Sequence, residues 1–202
     1  VPRLIDHDAR DQEIAAAALR VLGRDGLTSL SVRKVAEEAG LATASLRRAF
    51  PTQDALRRFC LQAVAERATR RIRGLAGEGI ARVEAMLAEL LPLDEERRVE
   101  LGAQVQLGAL ALTDDALHAE VVTLNLAVRG ACTAGITELD RTGGLHASRD
   151  AEAEAETLHA LLDGTALHLL WHPESLPGDA ARVLLGRHLR ALAGPVSGGR
   201  GA

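Results

Sequence analysis

SVRKVAEEAGLATASLRRAFPT, residues 31–52, decides the reading of this chain. Ser31 is a good N-cap, and Val32, Val35 and Ala36 give a short helix over 32–39 an inward face. Gly40 suits the C′ position, where positive φ is needed. After the turn Gly40-Leu41-Ala42 a second short helix follows over 43–49. Pro51 disfavours the α region for the residue before it, so this helix stops near Ala49 or Phe50. Thr52 then caps the next helix. Helix, glycine turn, helix is the helix-turn-helix plan. In that plan the second helix offers small, polar and cationic side chains to a major groove that only just admits a helix. Thr43, Ala44, Ser45, Arg47 and Arg48 meet the demand, while Leu46 and Phe50, spaced i and i+4, turn to the core. The competing reading is a short amphipathic helix with a solvated face.

Charge agrees with a polyanion partner at this end. Residues 1–73 hold 14 Lys and Arg against 9 Asp and Glu, a net +5; residues 74–202 hold 10 against 19, a net −9. A basic front on an acidic body suggests a local polyanion partner, and the helix-turn-helix reading makes that partner double-stranded DNA. Of 202 residues, 47% are hydrophobic, enough for a real core. No apolar run reaches the roughly 20 residues of a membrane span, and no secretory leader is evident at the start. Cys60 and Cys132 lie far apart without CxxC spacing, so neither a disulfide framework nor a zinc site is expected, and a cytoplasmic setting is.

Outward from the centre the chain reads as helix after helix. Asp8 caps a first one over 9–22, which Gly23 and Gly26 end. A long one runs from Thr52 to about Arg73. Others follow over about 80–91, 94–112, 114–141, from Arg149 to Pro173, and from Leu176 to Gly194. Strand formers are sparse and no strand pattern survives. The expected fold class is all-α with nine helices. The expected division is a DNA-binding domain over 1–51, a body over 52–194 and a disordered tail over 195–202.

No HExxH, GxSxG, phosphate-cradling loop or Ser-His-Asp order is present. His168 and His172 stand at i, i+4, the spacing of two metal ligands on one helix face. Nothing nearby completes the set, so no cofactor or metal is expected. A metal-dependent helical enzyme using these two histidines is the weaker alternative.

Residues 8–56 resemble the DNA-binding domain of the TetR family of one-component repressors. The resemblance is carried by I..AAL.VL...G...LSVRKVAEEAGLATASLRRAFPTQDAL, and the later helices agree with the family's nine-helix plan. LLDGTALHLLWHP and HLRAL resemble the betaine-pathway repressor branch. By this resemblance Arg33 reaches phosphate, and Thr43, Ser45, Arg47 and Arg48 meet DNA. Three positions depart from the family pattern: Arg47 stands for a tyrosine, Ala49 for a histidine and Gln53 for a lysine, each usually a phosphate contact. Gln53 can still contact phosphate without charge, and the operator is expected to be unusual.

The resemblance also implies a ligand-binding body and a homodimer. Candidates for the lining are Phe59, Cys60, Val64, Met86 and Trp171, with Gln104, Asn125 and Cys132; plain core is the competing reading of each. Val121, Asn125, Val128, Cys132 and Leu139 form one stripe, in which a buried Asn125 needs a partner, from the chain or from a ligand. An effector matching the set is mainly apolar with one or two hydrogen-bonding groups. Leu158, Leu161, Leu162, Ala166 and Leu169, then Val183, Leu184, Leu185, Leu189 and Leu192, are expected to join two protomers through the last two helices. The alternative is that these faces pack within one chain. A ligand-responsive dimeric repressor is the leading function, and a constitutive DNA-binding protein without a ligand is the alternative.

Overall fold

The computed structural model describes residues 7–193. The tail expected over 195–202 lies outside them. The described residues form nine α-helices and no strand: α1 His7–Asp25, α2 Val32–Glu38, α3 Thr43–Ala49, α4 Gln53–Arg73, α5 Gly79–Ala88, α6 Glu95–Ala111, α7 Asp115–Arg141, α8 Ala151–Trp171 and α9 Gly178–Leu192, with one 3-10 turn at Leu27–Ser29. The starts are sequence-encoded. Ser31 Oγ accepts from the Lys34 N–H at 3.3 Å, Thr52 Oγ1 from Ala55 at 3.1 Å, and Asp94 Oδ1 from Arg97 at 2.8 Å. Each satisfies one of the amide groups that a helix start leaves without an intrahelical partner.

The chain forms two compact units, Val1–Thr69 with Asp94–Asn125, and Arg70–Leu93 with Leu126–Ala202. In the first, Ile14, Ala18 and Leu22 of α1, Val35 and Ala36 of α2, Leu46 of α3 and Leu56 and Cys60 of α4 share one core with Leu107 of α6 and Leu117 of α7. Gly23 does not end α1, contrary to the sequence reading. The helix continues to Asp25, and an ideal Cβ at Gly23 would lie 3.1 Å from both Val99 methyls of α6. Glycine here serves close helix approach. Gly26, at φ 76°, is the true stop.

Gln106 of α6 fastens the turn between α1 and α2. Its Oε1 accepts from the Leu27 N–H at 2.8 Å and its Nε2 donates to the Leu22 carbonyl at 3.3 Å. Gln106→Leu keeps the volume but strips the Leu27 amide of its partner. It is expected to destabilise the protein by about 1 kcal/mol, seen as a lower urea midpoint at unchanged slope. Also in this unit, Arg67 of α4 pairs with Glu96 and, at 2.9 Å, with the buried Glu100 of α6.

In the second unit α5 packs on α9 and α9 on α8. Gly135 of α7 brings that helix close to α5, with Val83 and Met86 side-chain atoms 3.0 and 3.2 Å from where a Cβ would stand. Glu138 of α7 accepts from the Gly79 N–H at 2.7 Å at the start of α5. Arg141, and then that N–H, hold the Glu138 carboxyl at about 2. Leu158, Leu162, Ala166 and Leu169 of α8 and Leu185, Leu189 and Leu192 of α9 are buried within the chain. Most of the row expected to join protomers is therefore intrachain core. Val183 and Leu184 stay open, 57% and 37% exposed, and Leu161 is half-buried.

No described helix is long and apolar enough to cross a membrane. Among the described residues no group of three or more His, Cys, Asp or Glu could hold a metal ion. His168 and His172 are both exposed, and the His168 carbonyl accepts the His172 N–H at 2.8 Å at the end of α8.

Candidate nucleic-acid interface

Seven residues after Gly40 set the register of α3. Gly40 takes φ 65°, and the Leu41 N–H returns to the Ala36 carbonyl at 2.9 Å, closing α2. Thr43 opens α3, and the Phe50 N–H ends it on the Leu46 carbonyl at 2.7 Å. Leu46 is fully buried and Phe50 nearly so; the Phe50 ring meets Phe59 of α4 at a centroid distance of 4.8 Å and a tilt of 51°. This packing turns the opposite face out. Ala44, Arg47, Arg48 and Ala49 are exposed, and Thr43 and Ser45 are half-buried on its flanks.

Ion pairing sorts the basic residues of α1–α3 into two groups. Arg20 and Arg24 bind Glu38 at 2.7 and 2.9 Å, and Asp25 takes Arg24 at 3.1 Å and Lys34 at 3.2 Å. Hydrogen bonds from Arg20 and then Arg24 hold the Glu38 carboxyl below its ordinary range, and Arg24 and then Lys34 do so for Asp25. These cations fasten α1 to α2. Arg33, Arg47 and Arg48 are exposed and have no carboxylate partner among the described residues. Their charge is left for an external anion, and guanidinium groups suit phosphate or a guanine edge.

Two of the other three predicted contacts, Ser45 and Gln53, are more constrained. Ser45 Oγ accepts from Arg10 Nη2 of α1 at 2.6 Å. Gln53 Nε2 donates to the Leu30 carbonyl at 2.6 Å, which ties the start of α4 to the turn before α2. Gln53 is thus a brace for the head by its amide nitrogen. The sequence reading missed Arg10 and Gln106. A cation in the first turn of a helix opposes the macrodipole, and that was a usable signal for Arg10. Gln106 carries no local signal, because its partners lie 79 and 84 residues away.

The lining candidates separate between the two units. Phe59, Cys60 and Val64 pack in the same core as Leu46 of α3, and of the three Phe59 meets the Phe50 ring. Gln104 is half-buried in the same unit. Asn125 is exposed, which corrects its place in an apolar row: Leu117, Leu124, Cys132, Ile136 and Leu139 are the buried apolar side chains of α7. Trp171 is 58% exposed. Met86 and Cys132 lie in the second unit, half-buried and buried. Burial pushes the Cys60 thiol up to about 12, and burial together with Asp163 does the same to Cys132.

A short helix held by two apolar anchors, braced by a second and presenting unpaired guanidinium groups, defines a helix-turn-helix DNA-binding regulator. The sequence profile of bacterial regulatory proteins of the tetR family matches residues 14–58, and that of the BetI-type transcriptional repressor C-terminal domain matches 79–194. The chain belongs to the TetR family of transcriptional regulators. It is 32% identical to the HTH-type transcriptional regulator PksA of Bacillus subtilis (strain 168), over 95% of this chain and 94% of that protein. A transcriptional regulator from Rhodococcus sp. Rha1 is similar in structure, with a TM-score of 0.75 and 26% identity over 90% of this chain and 95% of that one. A protein from Saccharomonospora viridis solved in complex with choline shares the fold, with a TM-score of 0.75 and 20% identity over 89% and 94% of the two chains.

Proposed function

We propose that the chain is a dimeric repressor that binds a palindromic operator through α3 and releases or holds it according to a small, mainly apolar effector. The observation that carries the DNA reading is the sorting of cations: Arg33, Arg47 and Arg48 are exposed without carboxylates, while the neighbouring Arg20, Arg24 and Lys34 are paired. Thr43 and Ser45 flank them and supply hydroxyls for base edges or phosphate.

Two arguments support a dimer through α8 and α9. A helix of seven residues reaches few base pairs, and a two-fold pair doubles its contacts. Trp171, Val183 and Leu184 remain exposed after the rest of both apolar faces is spent inside the chain. The BetI-type match, over 79–194 and so parts of both units, and the choline complex of a protein of the same fold support an effector. Met86 and Cys132 are the sequence candidates in the second unit that are not exposed. For such an effector to act, it must prefer one of two conformations of the protein.

Selection from a random duplex pool tests the reading. The expected product is an inverted repeat with half-sites about one helical turn, or a multiple of it, apart. A pool with no enrichment sinks the function, and enrichment of a single unrepeated half-site sinks the dimer.

A further inference from the structure

Arg10 is the fourth basic residue of α1–α3 without a carboxylate partner among the described residues, and sequence reasoning gave it no role. It sits in the first turn of α1, where Asp8 is the residue type that the helix dipole favours and a cation is the wrong one. Its side chain does not leave for solvent. It is half-buried, and Nη2 donates to Ser45 Oγ of α3 at 2.6 Å, across 35 residues of sequence. That hydroxyl is neutral, so the bond orients the guanidinium without cancelling its charge. A guanidinium has five N–H donors, and one of them is spent here.

The place is informative. With about 100° per residue, Arg48 stands opposite the Leu46 and Phe50 row, Arg47 flanks it on one side and Ser45 on the other. An arginine anchored on Ser45 therefore supplies charge to the flank of α3 that the helix's own arginines do not cover. Local placement against the dipole, and a half-buried anchor beside a set of cations without carboxylate partners among the described residues, are both explained if an anion arrives there.

We propose that Arg10 is a DNA-contacting residue, held against the reading helix by Ser45 so that its free N–H groups grip a phosphate flanking the bases that α3 reads. This rests on the proposed operator binding. Ser45 then works chiefly as an anchor for Arg10, its hydroxyl proton remaining for a base or phosphate.

The test is the salt dependence of binding to the selected duplex, for wild type, Arg10→Ala, Arg10→Gln, Arg10→Lys and Ser45→Ala. Each cation that neutralises a phosphate contributes about 0.9 to the slope of log K against log salt. Arg10→Ala and Arg10→Gln are expected to weaken binding roughly tenfold and lower the slope by about one. Gln retains a donor for Ser45 and so isolates the charge. Arg10→Lys and Ser45→Ala keep the charge and are expected to keep the slope. A wild-type slope in both Arg10→Ala and Arg10→Gln overturns the proposal, whatever the affinity, and leaves Arg10 as a brace. Failure of the parent reading looks different: wild type then enriches no duplex, or the Arg47→Ala, Arg48→Ala pair binds as wild type does.

Discussion

Replacing Arg47 and Arg48 together by alanine is expected to weaken operator binding at least about a hundredfold at 0.15 M salt, and to lower the salt slope by about two. Both side chains are exposed on α3, and neither has a carboxylate among the described residues. Removing them therefore breaks no ion pair among the described residues, and the melting temperature is expected to stay within a degree or two. The two effects separate by sequence. An arginine that grips a guanine edge costs about 1–3 kcal/mol and relaxes preference at one base pair, whereas one on phosphate weakens all duplexes alike. Competition between selected and scrambled duplexes tells which arginine does which. Wild-type affinity in the double variant, by gel shift, would falsify the assignment of α3.

Leu46→Ala is expected to be the most damaging single change to the head. Leu46 is fully buried among α1, α2 and α4 residues of the core, and with Phe50 it is one of only two buried anchors of a seven-residue helix. Deleting a buried leucine side chain costs about 3–5 kcal/mol, and a helix this short has little stability of its own. Chemical denaturation should show the loss, and DNA binding should fall with it even where far-UV dichroism changes little. Phe59→Leu offers a gentler comparison, since it removes the ring contact with Phe50 yet fills most of the volume.

The head was legible because its instructions are local. Ser31, Gly40, Pro51 and Thr52 each act within a few residues, and α2 and α3 begin and end where those residues place them. The rest was harder for stated reasons. Helical periodicity says that a face of α8 or α9 is buried, but not by what, so Leu158, Leu162 and Leu189 were expected at an interface and are core. Asn125 was placed in a stripe by spacing, and a shift of one residue turns a helix position by about 100°, which carries it to the surface. Gly23 read as a stop because its partner, Val99, is 76 residues away in α6. Phe59, Cys60 and Val64 lie in a core shared by several helices, and in sequence an apolar residue looks the same whether it faces a ligand or a core neighbour. Arg10 was visible in principle as a cation on the wrong end of a helix.

The two buried thiols bear on how the protein can be studied. With both Cys60 and Cys132 protonated far above neutral pH and closed off from solvent, the native chain is nearly inert to maleimides and to mild oxidants. A cysteine introduced at an exposed head position such as Glu37 then becomes the sole reactive handle. Dyes or spin labels placed there would report the separation of the two heads in the proposed dimer, with and without the proposed effector, while every native residue other than Glu37 stays in place.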